Sequence, residues 1–225
     1  NGERQSSEGI HMPVLNKGDS NMAIMPMSYS PNTLQRRFEI IDEFEMGSST
    51  YWIIYDRKTP FSAVVDAGPA LIENDLRHRV IATLELIRVE NFDGLSVKSF
   101  WQDAAALQVE GVVVQEIMQG FGLATRIYET LVVHQNITLM SDHHHYEGGK
   151  ALWKHIAQKS RLLQVFVLDT NEGKFYPYDG TKIRYDGICI PESKIWSVHP
   201  DESLQGIILI AEAKEKVSAL SVPVI

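Results

Sequence analysis

The amino-acid sequence predicts a mixed α/β (α+β) fold in which helices flank a single sheet. The first half of the chain holds mostly strand patterns, and the second half alternates strand and helix patterns. Between the two halves, Val112, Val113 and Val114 are consecutive. Such a run is typical of a strand that is buried on both faces and therefore lies centrally in its sheet.

The composition is that of a globular protein. Of 225 residues, 44% are hydrophobic and 22% are charged, which leaves room for one or two domains. No apolar run approaches the roughly eighteen residues of a membrane span, and no signal-peptide pattern opens the chain, so we expect a soluble, cytoplasmic protein. The net charge of −8 argues mildly against a nucleic-acid backbone as partner and fits cationic or amine-bearing partners better.

The chain divides into an N-terminal segment and one domain. Residues 1–34 are rich in Ser, Asn, Gly, Met and Pro without a helical or strand period, so a flexible or draped segment is expected. Residues 35–225 are predicted to form a single domain. Cys189 is the only cysteine, which excludes an intrachain disulfide, and a buried, passive thiol is favoured over a nucleophile.

Strand patterns open the predicted domain. Residues 38–44 alternate and residues 50–55 are aromatic and β-branched, with a Gly-Ser-Ser turn between them, so a hairpin is predicted. Residues 61–65 indicate another short strand. Residues 71–79 are predicted to hold one or two helical turns and to end in a solvated basic turn. Residues 80–89 are predicted to be a strand, with a helix as the alternative.

The strongest strand pattern covers residues 107–118 and leads into a helix. Apolar residues recur at i, i+3, i+4 and i+7 from Ala124 to Leu131, the stripe of an amphipathic helix that is expected to end near His134. The further predicted elements are a strand at 137–140, a helix at 147–159, a strand at 163–169, a hairpin turn at 171–173 into a strand at 174–178, and a last strand at 206–211.

Gly120 and Gly122 lie where this strand feeds the helix. The first-turn amides of a helix have no intrahelical partner and its N-terminus is positive, so an anion such as a diphosphate can bind there. Glycine lets the backbone approach that ligand, although glycine at a tight turn is as often only a steric requirement. No Gly-Lys-Ser or Gly-Lys-Thr is present, which excludes a P-loop. A dinucleotide site would need a third glycine followed by an acidic residue at the end of the next strand, and the sequence lacks this combination.

Gln119, Gly122 and Ala124 follow the pattern Gln or Arg, two residues, Gly, one residue, Gly or Ala, just after the Val-rich strand. This segment resembles motif A of the GCN5-related N-acetyltransferase (GNAT) superfamily, and the subsequent order of helix, short strand, helix, strand and hairpin is also similar. The resemblance covers about residues 80–170, or 38–212 with the flanking strands. Residues 139–153 resemble, more loosely, a subgroup of phage-associated acetyltransferase-like proteins.

The resemblance implies a mostly antiparallel central sheet flanked by helices, with acetyl-coenzyme A (acetyl-CoA) in a gap beside the central strand. The pantetheine arm would pair with the backbone of Val112 and Val114. The diphosphate would meet the amides of the glycine loop. Beside Val112 and Val114, the residues expected to bind the cofactor are Gln119, Gly120, Phe121, Gly122, Leu123, Ala124 and Thr125.

Acyl transfer to an amine needs a base, an oxyanion stabiliser and a proton for the leaving thiolate. Glu110 is the first candidate for the base, because strand alternation places it on the side of Val112 and Val114. Glu85 and Glu116 are the alternatives. For each carboxylate, an exposed or salt-bridged position is the competing interpretation.

The proton donor is less well specified. The family often places a tyrosine on the helix after the short strand, and the matching position here is Trp153, whose indole is no useful acid. Tyr146, just ahead of that helix, and Ser141, on the short strand, are retained as catalytic candidates. Tyr128 falls on the apolar stripe and is expected in the core.

Three consecutive histidines, His143, His144 and His145, raise the question of a metal site. On an extended segment they point alternately to opposite sides, so at most two converge. With a single cysteine and no HExxH sequence, no metal is predicted. A loop at the mouth of the cleft is favoured instead, where one imidazole contacts substrate or titrates.

The sequence therefore predicts an N-acyltransferase that uses acetyl-CoA in a direct ternary complex. The acceptor is an amine on a small molecule or a protein, with a nucleotide or nucleic-acid base as a further option. The oligomeric state is open, with a homodimer as one option. Two alternatives stand beside this interpretation: a GNAT-fold binding or structural module without catalysis, and an unrelated α/β protein in which the glycines only form a tight turn.

Overall fold

The structure is a computed structural model that describes residues 26–88, 106–142, 147–196 and 206–214. Its strands are β1 (Ser28–Tyr29), β2 (Glu39–Met46), β3 (Ser49–Asp56), β4 (Phe61–Asp66), β5 (Ala70–Ile72), β6 (Asp75–Arg88), β7 (Ala106–Val114), β8 (Thr138–Met140), β9 (Leu163–Asp169), β10 (Lys174–Phe175), β11 (Arg184–Tyr185) and β12 (Ile207–Ala213). Its helices are α1 (Pro31–Arg37), α2 (Leu123–His134) and α3 (Glu147–Lys159), with 3₁₀ turns at Glu116–Met118 and Glu192–Lys194.

The described strands form one twelve-stranded sheet. Its main path runs β10-β9-β12-β8-β7-β6-β4-β3-β2, while β1 and β5 extend along β6, and β11 pairs with β9. Every described pairing is antiparallel except that of β7 with β8. The predicted mixed fold with a mostly antiparallel sheet is confirmed, although the sheet is large and the described helices are few.

Most predicted elements of the domain are present. β2 and β3 form the predicted hairpin, which turns at Gly47 (φ 63°). The strand predicted at 80–89 is confirmed over its helical alternative, since β6 continues through Arg88. The bounds of α3 and β9 agree with the predicted ones, and α2 begins one position earlier than predicted. In the described ranges, no helix has the length and apolar composition that crossing a bilayer requires.

The helical turns predicted for residues 71–79 are wrong. β5 and β6 form a tight hairpin whose turn residues, Glu73 and Asn74, have φ of 52° and 71°. Two consecutive left-handed residues match the twist of a β-hairpin, and this local geometry replaces the helix. The basic end is not a solvated turn either, because His78 is 4% exposed and its Nδ1 donates to the carbonyl oxygen of Asp66 at 2.8 Å.

Part of the N-terminal segment is regular. Residues 1–25 lie outside the described residues, but from residue 28 the segment predicted to lack regular structure forms β1 and then α1. The Ser30 hydroxyl caps α1 by accepting from the Thr33 amide at 3.1 Å, and Pro31 occupies the first turn. Since only Leu34 of this short helix is buried, no apolar period is visible in the sequence.

Two predicted strands are too long. β7 ends at Val114 because a 3₁₀ turn follows, so the strand predicted at 107–118 is wrong beyond that residue. β10 covers only the start of the strand predicted at 174–178, and the backbone turns at Tyr178 with φ of 73°. The sequence interpretation did not include β11 at all.

The core is divided by the sheet. α2 and α3 bury Ile127, Leu131 and Ile156 in the same cluster as Val112 of β7. Val113 belongs instead to a cluster on the opposite face, where Leu34 of α1 packs. A central strand with both faces buried is what the consecutive valines predict.

β7 is paired along one edge and only briefly along the other. On the β6 edge the ladder runs from Leu107 to Val114, with a register shift that makes Glu110 the extra residue of a β-bulge. On the β8 edge the parallel ladder covers only Ala106 to Gln108. No described strand pairs with residues 109–114 on that edge, and the space beside this part of β7 is called the gap here.

Candidate functional site

A cleft of about 280 Å³ lies between the end of β7, the loop that follows it, and α3. Its lining residues are Val114, Met118, Gln119, Gly120, Gly122, Leu123, Ala124, Thr125, Leu152 and His155. Most of the residues predicted to bind a cofactor are in this list. Val112 and Phe121 do not line the cleft: Val112 is buried in the core, whereas the Phe121 side chain is 61% exposed.

The glycine loop has the geometry that an anion site needs. Gly120 and Gly122 have φ of 82° and 75°, in the left-handed region that favours glycine. Gly122 is the N-cap of α2, and no side-chain hydrogen bond caps the helix in the described chain. A methyl group placed on either glycine would meet no atom within 4 Å, so the space above the loop is open. The first-turn amides of α2 therefore lie at the cleft, and no side chain of the described residues caps them.

The gap edge of β7 ends at the same cleft, since Val114 is the residue of β7 that lines it. The amide of Gln115 donates to the carbonyl oxygen of Ile81 at 2.9 Å. In an antiparallel ladder, every second residue directs its N–H and C=O groups to the same neighbouring strand, so this bond shows which residues of β7 bond to β6. Val113 therefore bonds to β6, whereas Val112 and Val114 direct their N–H and C=O groups away from β6, toward the gap. Gln119 Nε2 donates to the Val114 carbonyl oxygen at 3.3 Å, so a ligand that pairs with this carbonyl would share it with the loop.

The opposite wall comes from α3, and sequence reasoning missed it. Leu152 and His155, three positions apart, share one helix face and line the cleft. Trp153, which the resemblance aligns with the usual tyrosine, is on another face: it is 4% exposed and its ring meets Tyr128 edge-on at 5.5 Å. Tyr128 is 1% exposed, as predicted for a core residue, and burial raises the pKa of its hydroxyl. The sequence could have indicated this wall, because the helical period places Leu152 and His155 on the face of α3 next to the buried face that carries Trp153 and Ile156.

Two carboxylates lie near the bulge of β7. Glu85 pairs with Gly111 across the β6–β7 ladder, beside Glu110. Partial burial raises the pKa of the Glu85 carboxyl, and the charge of Glu110 raises it further. Strict alternation along β7 would put the side chain of Glu110 on the same side as that of Val112. The bulge interrupts this alternation at Glu110, so the position of Glu110 beside Glu85 depends on the bulge. Glu116, the other alternative, is exposed on the 3₁₀ turn.

Ser141 has a structural setting. It is 1% exposed, and its hydroxyl accepts from the amide of Leu209 at 2.9 Å and donates to the carbonyl oxygen of Asp142 at 2.8 Å. Gln108 Nε2 holds the same turn through contacts of 3.4 Å with the Ser141 carbonyl oxygen and Asp142 Oδ1. These bonds fix the position at which the chain leaves β8, and Ser141 does not line the cleft.

The remaining predicted groups are Tyr146, the three histidines and Cys189. Tyr146 and His143 to His145 lie outside the described residues. Elsewhere in the described chain, no group of three or more His, Cys, Asp or Glu side chains could hold a metal ion. Cys189 is exposed, so its predicted burial is wrong, and partial desolvation raises the pKa of the thiol. A thiol with a raised pKa is a poor nucleophile at neutral pH.

Comparison of the chain with protein-family models, with curated proteins and with solved structures found no match in any of the three. Fold and site together define a mixed α/β protein with a cleft between the end of the central strand β7, the glycine loop at the start of α2, and α3. The acyltransferase resemblance stays a prediction.

Proposed function

We propose that this protein is an acyl-CoA-dependent N-acyltransferase, with acetyl-CoA as donor and an amine as acceptor. One observation carries the proposal: the gap edge of β7 leads directly to the uncapped N-terminus of α2. A ligand with an amide-bearing arm and a diphosphate matches both halves of this arrangement, since the arm can pair with strand backbone and the diphosphate can accept from helix amides.

The cofactor would be held mainly by backbone. The pantetheine amides would pair with Val112 and Val114, and the diphosphate would accept from the amides between Gly120 and Thr125. The cleft of about 280 Å³ is at the small end of ligand sites, so it would hold the diphosphate and the adjoining part of the arm, while the rest of the ligand lies in the gap and on the surface.

The chemistry needs few groups. The neutral amine nitrogen attacks the thioester carbonyl carbon, the C–S bond breaks, the amine proton passes to a base, and the thiolate takes up a proton. Glu110 is the first candidate for the base and Glu85 the second, because burial and the charge of Glu110 raise the pKa of the Glu85 carboxyl, which suits a proton acceptor. Trp153 is buried and Ser141 is fully engaged, so Tyr146 or water is left as the donor to the thiolate.

The arrangement of β7, α2 and β8 supports the GNAT resemblance in particular. The resemblance implies a mostly antiparallel sheet and a helix that begins in a glycine loop after the central strand, and both are present; the early end of the β7–β8 ladder is compatible with the gap that it also implies. The twelve-stranded sheet is larger than that fold requires, and the strands added at β10 and β11 lie far from the cleft on the sheet path.

A binding module without catalysis is the second candidate function. The specific observation in its favour is that Ser141 and Trp153 both serve packing and hydrogen bonding inside the fold. Such a protein would bind acetyl-CoA in the same cleft and release no thiol when amines are added.

Calorimetric titration with acetyl-CoA tests the shared cleft. Gly122→Val should abolish detectable binding, because its side chain would enter the open space above the loop. Gly47→Val is the matched control: Gly47 also has a positive φ (63°) and an open environment, but it lies in the β2–β3 turn. Both changes should destabilise the fold by about 1–3 kcal/mol. No binding by the unaltered protein at near-millimolar acetyl-CoA rejects the proposal.

Thiol release then separates the two candidate functions. A panel of small amines, peptides and nucleosides, each incubated with the protein and acetyl-CoA, should show release with one class of acceptor above the release without acceptor. Glu110→Gln should lower that rate while acetyl-CoA affinity stays within about twofold, since a base acts in the transition state and not in cofactor binding. Binding without release for every amine supports the binding module.

A further inference from the structure

The start of α2 carries a charge whose sign is unfavourable at that position. The N-terminus of a helix is positive, so Asp or Glu is favoured in the first turn and Arg is not. The first turn of α2 contains no acidic residue. Arg126 closes this turn, since its amide donates to the Gly122 carbonyl oxygen at 2.9 Å. With no side-chain cap either, the local sequence gives this helix start little support.

Asp42 of β2 supplies the missing negative charge from a distant part of the chain. Nε and Nη2 of Arg126 both donate to Asp42 Oδ2, at 3.2 and 2.9 Å, and the Thr130 hydroxyl donates to the same oxygen at 3.4 Å. The Arg126 guanidinium group also lies over the Phe44 ring, 4.2 Å from its centroid. The Asp42 side chain is 18% exposed and that of Arg126 is 43% exposed, so solvent screens this ion pair only in part.

A β-bulge precedes Asp42 in β2. The register with β3 shifts between Ile40 and Asp42, which makes Ile41 the extra residue. Beyond the bulge, Asp42 is opposite Ile53, which belongs to the core cluster that α2 also joins. Asp42 therefore lies on the face of the sheet that carries α2. Neither Asp42 nor Arg126 lines the cleft, so any effect of the pair on a ligand in the cleft is indirect.

We infer that Asp42 is a positioning residue for the cleft: through Arg126 it holds the first turn of α2, and with it the glycine loop, in the arrangement that binds the cofactor. The inference rests on the proposed function. An uncapped helix end frays more readily than the middle of a helix, and the conformational freedom of Gly120 and Gly122 adds to this. The ion pair supplies from β2 the support that a capping side chain would otherwise give.

Asp42→Asn distinguishes positioning from direct attraction of an anionic ligand. If the pair positions the loop, Asp42→Asn and Arg126→Gln should each weaken acetyl-CoA binding about tenfold, with no further loss in the double variant, because both changes remove the same contact. If the charges act directly on the ligand, Asp42→Asn removes a repelling carboxylate and tightens binding, whereas Arg126→Gln weakens it. Calorimetric titration of the full chain and its variants measures these affinities. Tighter binding by Asp42→Asn overturns the inference.

Glu39→Gln is the matched control. Glu39 is on the same strand and forms a salt bridge with Arg57 at 2.8 Å, and Arg57 Nη2 also donates to Gln135 Oε1, at the other end of α2. The change therefore removes a carboxylate of β2 and one of its arginine contacts, but far from the glycine loop. Acetyl-CoA affinity should stay within about twofold of that of the unaltered protein.

Amide hydrogen exchange followed by NMR tests the ion pair without ligand. In Asp42→Asn the amide of Arg126 should exchange about fivefold faster or more, whereas that of Gln135, which donates to the Leu131 carbonyl oxygen, should not change. Unchanged exchange at Arg126 overturns the inference, and so does an affinity loss in Glu39→Gln as large as that in Asp42→Asn. Faster exchange at Arg126 without acetyl-CoA binding by the unaltered protein supports the role of the ion pair in holding the turn and overturns the proposed function.

Discussion

The two edges of β7 carry the same backbone groups in different surroundings. Toward β6, the ladder extends from Leu107 to Val114 and is interrupted only by the bulge at Glu110. Toward β8, pairing stops at Gln108, and the groups of Val112 and Val114 face the gap. A strand buried on both faces is thus paired along nearly all of one edge and along only a third of the other within the described strands. Substitutions on either edge test how far the two edges of β7 differ.

Proline substitution at neighbouring positions should give the largest difference. Val113→Pro removes an amide that pairs with β6 at Thr83, and we expect it to destabilise the protein by about 3 kcal/mol or more. Val112→Pro imposes the same ring but removes an amide that faces the gap, so it should destabilise less and should weaken acetyl-CoA binding instead. Urea denaturation and calorimetry measure the two effects. Equal destabilisation would show that the two edges do not differ.

Ser141→Ala tests the turn at which the chain leaves β8, the strand that pairs with β7 on its second edge. The Ser141 hydroxyl satisfies the buried amide of Leu209, so its removal should destabilise the fold by about 1–3 kcal/mol. The rate of thiol release per folded molecule should stay unchanged, because the hydroxyl has a structural role. Ser141→Ala with normal stability and a large loss of rate would instead make Ser141 a catalytic residue. Denaturation curves and rates at a temperature well below the transition give both values.

Glu85→Gln should have the smallest effect, and its sign depends on pH. A carboxyl whose folded-state pKa is raised stabilises the fold fully below its unfolded pKa, and this contribution is lost as the pH rises through the folded pKa. Glu85→Gln should therefore be more stable than the unaltered protein at pH 7, and the gain should disappear below about pH 4. Thermal denaturation across this range measures it. A constant gain at all pH values would assign the effect to packing.

Sequence alone predicted the parts of the site that depend on local chemistry. Gly120 and Gly122 adopt positive φ, and the helix that follows begins at Leu123, next to the predicted start. Both results depend only on neighbouring residues, since glycine conformation and helix periodicity are local properties. The same holds for α3 and β9, whose apolar periods are long enough to define their bounds.

The parts that depend on distant contacts could not be predicted. The bulge at Glu110 and the short length of the β7–β8 ladder depend on the register of strands that are far apart in sequence. The wall from α3 depends on how that helix packs, which leaves Leu152 and His155 beside the loop and buries Trp153. Glu73 and Asn74 form a tight hairpin turn without the Asn-Gly sequence that usually indicates one, so the β5–β6 hairpin was mistaken for helical turns.

The brief parallel ladder between β7 and β8 also bears on how the chain folds. Among the described strands, β1 to β7 and β8 to β12 form two antiparallel groups that only this ladder joins. Within the first group, β2 to β4 are linked by short turns and can associate early, whereas the β7–β8 pairing requires closure of the crossover that contains α2. We therefore expect the amides of this seam to become protected late in refolding and to exchange with solvent more readily than those of the β3–β4 pair.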